Sequence, residues 1–374
     1  MSDISPSRAL VDLDAYAHNL DVVRRFVGDT AGIMAVVKAN AYGHGMAPIA
    51  RKAAETGVRM LGVATVDEAI ALREAGIETP VLIMMQPEPK ALGPVIEHGF
   101  RLMVSEIALA EQLGEMARRA NRVALVHCKV DSGMGRQGFA LKTAASDLQH
   151  LTRISHIDIE GVATHFPVAD KLQDTFTYNQ IKTFKQLLKK LNRYGIPYEL
   201  AHAANSAAIV NYQDSIFDLV RPGLITYGIW PTEHPPARNL LKPVLRWETQ
   251  VTQVRELEAG ATIGYGRTYT APAPMKAAVL PVGYADGYKH ALSNRAEVLI
   301  AGRRCPVRGS VCMDQIIADV TELPEAAAGD TATLIGADGN ERITVEELAK
   351  RADTIPYDIL TGIGPRVPRQ YTGS

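Results

Sequence analysis

Eight short apolar runs, alternating with amphipathic ones, occupy the first two-thirds of this 374-residue chain and leave few folds open to it. The strand-like runs are Ile33 to Val37, Leu61 to Ala64, Val81 to Met85, Arg101 to Val104, Val123 to Val130, Ile159 to His165, Tyr198 to Ala203 and Phe217 to Leu224. Their near-continuous Val, Ile and Leu content suits parallel strands buried on both faces. Most gaps between them place alanine, leucine and isoleucine at helical spacing among charges, as in Asn179 to Tyr194, which ends at the C-cap residue Gly195. Eight β-then-α units over about 220 residues predict an α/β fold with an N-terminal (β/α)8 TIM-type barrel. An open doubly wound sheet fits less well, because nothing in it requires eight.

Beyond residue 235 the texture changes. His234 to Pro243 holds three prolines in ten residues and reads as a linker. After it come short β-like runs separated by Gly, Pro and Asp, then one helical stretch with Thr344 as its N-cap. The expected division is a barrel over 1–238 and a mainly β domain over 239–374, with the first ten or so residues free to pack against the second domain. Forty basic and forty-one acidic side chains give a net charge of -1, which offers no basic excess for nucleic acid or an anionic membrane. No apolar run approaches the ~20 residues that span a bilayer. The polar N-terminus and three unpaired-looking cysteines point to a reducing, cytoplasmic location.

In such a barrel, chemistry sits at the C-terminal ends of the strands. Lys38 directly follows the first run, where apolar packing would lower its amine pKa and favour Schiff-base chemistry. A lysine snorkelling from a strand end is the ordinary alternative. The fifth run leads into Lys129-Val-Asp-Ser-Gly-Met-Gly-Arg136, the sixth ends at His165, the seventh reaches Asn205 and Ser206, and the eighth carries Arg221-Pro-Gly223-Leu224. Asn205 and Ser206 could open a helix whose N–H groups bind phosphate, in the region after strands seven and eight where barrels place such sites. A lysine facing a phosphate site across a barrel mouth suggests pyridoxal 5'-phosphate.

Two other patterns carry less. Gly133, Gly135 and Gly138 match GxGxxG, but this turn follows the fifth strand and contains Arg136, which argues against a dinucleotide. His127, Cys128, His165 and His202 lie in different runs without a short ligand motif, so hydrogen-bonding or core roles are expected and no metal site.

The stretch around Lys38, Ala-Val-Val-Lys-Ala-Asn-Ala-Tyr42-Gly-His-Gly, resembles the cofactor-attachment motif of the alanine racemases. The resemblance extends through Lys-Val-Asp-Ser-Gly-Met-Gly-Arg, Ala-Asn-Ser-Ala, Arg-Pro-Gly and Tyr-Gly-Ile in the barrel. In the β region it takes in Gly264-Tyr265-Gly-Arg-Thr-Tyr, Gly283-Tyr284-Ala-Asp-Gly, Cys312-Met313-Asp314 and Ile355-Pro-Tyr357. It implies a barrel followed by a β domain, pyridoxal phosphate as cofactor and an isomerase interconverting L- and D-alanine, supplying D-alanine for a bacterial cell wall.

Carried over residue by residue, the resemblance implies that Lys38 binds the cofactor and is one acid/base, with Tyr265 as the opposed base. Proton removal from one face of a carbon and delivery to the other requires two such groups. Tyrosine ordinarily titrates near 10, and the resemblance implies help from His165, itself linked to Arg221 facing the pyridine nitrogen. A cation there disfavours a proton on that nitrogen and should suppress transamination. Tyr42, Ser206, Gly223, Leu224 (through its N–H) and Tyr357 resemble the phosphate set. Arg136 and the Met313 N–H resemble the substrate-carboxylate contacts, and a guanidinium suits a carboxylate by its fork. Lys129 matches a lysine that is carbamylated in some members; an unmodified lysine beside an anion is the equal alternative. The resemblance also implies a homodimer in which Tyr265 and Met313 of one chain complete the site of the other. Racemases for serine or larger amino acids, a decarboxylase with an acid in place of Arg221, and a non-catalytic pyridoxal-phosphate carrier are the competing readings.

Overall fold

A computed structural model describes residues 5–172, 174–232, 235–237 and 239–373. The chain divides into two compact units, one formed by Ala15–Ala41 and Met46–Lys242, the other by Met1–Asp14, Tyr42–Gly45 and Pro243–Ser374.

In the first unit all eight expected strands form: β1 (Gly32–Val36), β2 (Met60–Val63), β3 (Val81–Ile83), β4 (Arg101–Val104), β5 (Ala124–Asp131), β6 (Ile157–Ala163), β7 (Leu200–Asn205) and β8 (Leu219–Arg221). Each pairs in parallel with the next, and β8 returns to β1 through Leu219↔Gly32 and Val220↔Ile33, closing the barrel. A helix separates each pair of consecutive strands, from Met46–Glu55 after β1 to Ser206–Asn211 before β8. Inside the barrel Met34, Met60, Leu82, Met103, Ala163, Leu200 and Leu219 form one buried cluster. These come from seven of the eight strands, and flexible thioethers fill much of the space. At the matching level β5 supplies a polar residue, His127, which sits in register with Met103. A two-residue strand, Phe139–Ala140, pairs with the end of β5 and was not foreseen.

The helix starts follow local chemistry. Thr65 and Glu68 make a reciprocal capping box at Val66–Glu74. Asp174 accepts the Thr177 N–H at 3.0 Å to start Thr175–Arg193, and Gly195, with φ +65°, lies just beyond its end.

The second unit is built on a ten-stranded sheet, mostly antiparallel. The strand Arg8–Asp12 lies inside it, antiparallel to Leu245–Gln250 and parallel to Arg369–Thr372. Arg8–Asp12 thus belongs to the second unit although it precedes the barrel in the chain. The chain passes between units at Lys242 and Pro243, four residues beyond the expected division at 238. The reason lies in Asn19, whose amide accepts the Lys242 N–H at 2.9 Å and donates to its carbonyl at 2.7 Å, holding Lys242 in the barrel unit. Within the expected linker, His234 and Arg238 lie outside the described residues. Two helices form here, Val345–Arg351 capped by Thr344 and Pro356–Gly362 with proline in its first turn. The second escaped the sequence reading: both are seven residues long, but only the first opens on a side-chain cap, Ile355 before the second offering none. Among the described residues no helix is long and apolar enough to cross a membrane.

Candidate active site

The barrel closure brings Lys38, Lys129, His165, Asn205 and Arg221 to one end, because each sits at or just after the C-terminal end of its strand. Lys38 leads into an unusual turn. Ala39, Asn40, Ala41 and Tyr42 all have φ between +51° and +53°, a left-handed turn without a glycine. Such backbone costs roughly 1–2 kcal/mol per residue, so its contacts must hold it. Burial lowers the pKa of the Lys38 amine, as does the charge of Arg136, while Glu68 opposes them. The outcome favours the neutral, nucleophilic amine.

Arg221 is buried and its guanidinium faces four acceptors, three of which share the two N–H groups of Nη2. It donates to Thr164 O and Ala203 O at 2.8 Å each, to His202 Nδ1 at 2.8 Å and to His165 Nδ1 at 3.1 Å. Since guanidinium only donates, both ring nitrogens must be unprotonated acceptors. Neutral His202 therefore carries its proton on Nε2, which lies 2.8 Å from His127 Nδ1. His127 in turn presents Nε2 to Glu160 at 2.8 Å, and Arg101 holds the other side of that carboxylate. One polar chain thus runs through the barrel interior from Arg221 to Arg101. Burial pushes the Arg221 pKa down to about 10, which leaves it charged at neutral pH. Burial also raises the Glu160 carboxyl, but bonds from His127 and Arg101 outweigh this and bring it to about 2.

This chain depends on a bulge and a glycine. Register in β5 and β6 runs Val126↔Ile159 and then His127↔Gly161, so Glu160 is the extra residue. A Cβ at Gly161 would lie 2.9 Å from His127 Cγ, 2.7 Å from Cε1 and nearer still to Nδ1. Gly161→Ala is therefore expected to cost about 2–3 kcal/mol of stability by urea unfolding; an unchanged midpoint would show that the ring can move aside.

The same histidines set a pH dependence. Burial first, then neighbouring cations, hold His165 and His202 well below their ordinary 6.5, and His127 is lowered mainly by burial. The unfolded chain then binds more protons than the fold below that value, so stability present above 6.5 is lost as pH falls. The slope is about 1.4 kcal/mol per pH unit for each histidine. Thermal unfolding should show a melting temperature that drops steadily from pH 7 to 4.5, and a flat profile would contradict these neutral assignments.

The remaining residues fall into two groups. In the barrel unit, Ser206 Oγ accepts the Gly223 N–H at 2.8 Å and the Ile225 N–H at 3.4 Å, so the ends of β7 and β8 converge on one hydroxyl. Asn205 opens the helix: its side-chain oxygen accepts the Ala208 N–H at 3.0 Å and its amide nitrogen donates to Phe166 O at 3.3 Å. It builds the turn that presents Ser206. In the glycine-rich loop after β5, the Asp131 carboxylate accepts the N–H groups of Gly133 and Met134 at 2.8 Å and of Gly135 at 3.0 Å. Those N–H groups are committed, so the GxGxxG match is no phosphate cradle. Its product is a fixed loop that offers the exposed Arg136. Lys129 is buried, and burial with the charges of Arg221 and Arg136 holds its amine well below the usual lysine range.

In the second unit, Tyr42 and Tyr357 face each other with ring centroids 5.7 Å apart. Tyr265 stands at the tip of the hairpin Thr262–Ile263/Tyr269–Thr270, between Gly264 and Gly266 at φ +70° and +69°, and is 78% exposed. Ser310 donates to its carbonyl at 2.9 Å. The turn Gly283–Gly287 pairs with Cys312 and Met313 through N–H bonds from Tyr284 and Ala285, each 3.0 Å. A side chain at Gly283 would strike the Cys312 and Met313 carbonyls, so glycine permits this approach. Tyr265, Tyr284 and Met313 are thereby joined through the segment 310–313, all exposed.

What the sequence missed is Glu68 and the histidine chain. Thr65-Val-Asp-Glu68 did carry the signal of a helix start.

Family models of the alanine racemase N-terminal domain and C-terminal domain match residues 11–231 and 244–371. The alanine racemase of Halothermothrix orenii is 41% identical over 366 residues, covering 98% of this chain and 97% of that protein. Among solved structures, an alanine racemase of Clostridium difficile matches with TM-score 0.94 at 32% identity, covering 99% of this chain and 97% of the other. The alanine racemase of Bartonella henselae with covalently bound pyridoxal phosphate matches with TM-score 0.89 at 30% identity, covering 98% of this chain and all of that one.

Proposed function

The chain belongs to the alanine racemase family and is an isomerase of L- and D-alanine, and on that premise we propose that it works through Lys38 and Tyr265 as opposed proton carriers. The observation that carries the reading is the set Lys38, His165 and Arg221 at one barrel end, with the lysine biased to its neutral amine and the histidine held neutral. The residues fit pyridoxal phosphate by their chemistry: Lys38 supplies an amine whose charged form burial disfavours, and Arg221 a fixed cation. In the barrel unit the Ser206 hydroxyl and the Leu224 N–H would serve a phosphate, with the Gly223 N–H spent on Ser206 Oγ. Bound there, the cofactor withdraws electrons from the α-carbon of the amino acid and acidifies its C–H.

The protein does the rest. Lys38 would take the proton on one face as the free amine and return it as the ammonium, and Tyr265 would do the same on the other as phenolate and phenol. Arg221 fixes His165 Nδ1 as an acceptor, which leaves the proton on Nε2 to donate to a phenolate, and we assign that phenolate to Tyr265 of a second copy. The fixed cation of Arg221 would disfavour protonation of a pyridine nitrogen beside it, which would favour return of the proton to the α-carbon over transamination. A carboxylate at 221 would instead face two carbonyl oxygens and two unprotonated imidazole nitrogens. Arg136 and the Met313 N–H would receive the substrate carboxylate. A neutral Lys129 amine is the form that reacts with carbon dioxide, which favours carbamylation. Exposed Tyr265, Tyr284 and Met313 support a homodimer that covers them. The three free cysteines support a cytoplasmic place, and D-alanine for a cell wall is the role the family suggests.

The test is direct. Cofactor-loaded protein given either pure enantiomer of alanine should reach the same near-equal mixture by chiral chromatography. Faster turnover of serine than of alanine would overturn the substrate assignment.

A further inference from the structure

We propose that Glu68 is a positioning residue for Lys38: its carboxylate fixes the left-handed turn from which the lysine is presented, an inference that rests on Lys38 carrying the cofactor. In an ordinary capping box the glutamate side chain returns only to the N–H of its own helix cap. Here the Glu68 carboxylate does more. One oxygen accepts the Ala39 N–H at 2.6 Å, while the other accepts the Ala64 N–H at 2.7 Å and the Thr65 N–H at 3.3 Å. A single carboxylate therefore joins the ends of β1 and β2, strands already paired through Val36↔Gly62.

The turn needs such an anchor. None of Ala39, Asn40, Ala41 and Tyr42 is a glycine, and all but Asn40 resist the left-handed region they occupy. The Ala41 N–H returns to Val37 O at 2.8 Å, and Asn40 accepts the Met46 N–H at 2.9 Å; both bonds are local in sequence. The Glu68 bond instead reaches 29 residues along the chain to the helix after the neighbouring strand. Thr65 accepts the Glu68 N–H at 3.3 Å, a bond that serves the helix start and touches neither the Ala39 nor the Ala64 N–H. Glu68 also places a negative charge against that of Arg136, the two charges that act on the Lys38 amine.

The experiment uses the full-length, cofactor-loaded protein with Glu68→Gln, Thr65→Ala and Lys38→Ala beside the parent. Glutamine keeps one acceptor oxygen, so either the Ala39 or the Ala64 N–H loses its partner, and the charge is gone. The visible absorption of the lysine-bound cofactor should titrate at lower pH in Glu68→Gln, and cofactor release should quicken about tenfold or more. Thr65→Ala weakens the same helix start without touching either N–H; it should lower the melting temperature yet titrate and release as the parent does. If Glu68→Gln behaves as the parent, or Thr65→Ala reproduces its changes, Glu68 is a helix cap and the proposal falls. If Lys38→Ala keeps the parent absorption, the Lys38 assignment fails, and the proposal with it.

Discussion

Lys38→Ala should slow alanine racemisation by about ten-thousandfold or more while leaving the fold at least as stable as before. Two losses combine in the rate: the amine that anchors the cofactor and the group that moves a proton on one face. Stability should not suffer, because Lys38 stands past the end of β1 and contributes nothing to the buried barrel cluster. Its burial opposes its own charge, so truncation removes an unfavourable term. Racemisation rate and thermal unfolding measured on one preparation separate the two effects. A variant within tenfold of the parent would remove Lys38 from the chemistry.

Tyr265→Phe is the second large effect. The change deletes one oxygen from a side chain 78% exposed at a hairpin tip, so folding and the visible absorption of bound cofactor should be unaffected. The rate should fall about a hundredfold to ten-thousandfold, the range for loss of a general acid or base. The remaining base can still remove and return a proton on its own side. In heavy water this variant should exchange the α-proton of one enantiomer faster than it inverts it. Equal loss of exchange with both enantiomers would place Tyr265 in binding and not in proton transfer.

Much of this was legible in the chain because barrel geometry converts strand order into place. Once eight β-then-α units are read, the residues after each run fall together, and Lys38, Lys129, His165, Ser206 and Arg221 need no further information to be candidates. The left-handed turn was hidden for a definite reason. Positive φ is read from glycine, and Ala39 to Tyr42 offers only Asn40 as a residue that tolerates it. The histidine chain was hidden because His127, Glu160 and His202 come from three strands and meet only after a bulge shifts register at Glu160. Asn205 shows the converse. Its residue type reads as the start of a helix, and its side chain accepts the Ala208 N–H in that place.

The most direct test of two opposed proton carriers is to give the parent enzyme L-alanine in heavy water and follow chirality and α-deuterium together. The account predicts D-alanine carrying deuterium at the α-carbon from the earliest time points. L-alanine that gains deuterium while no D-alanine appears would mean a single working base, and would contradict the pairing of Lys38 with Tyr265.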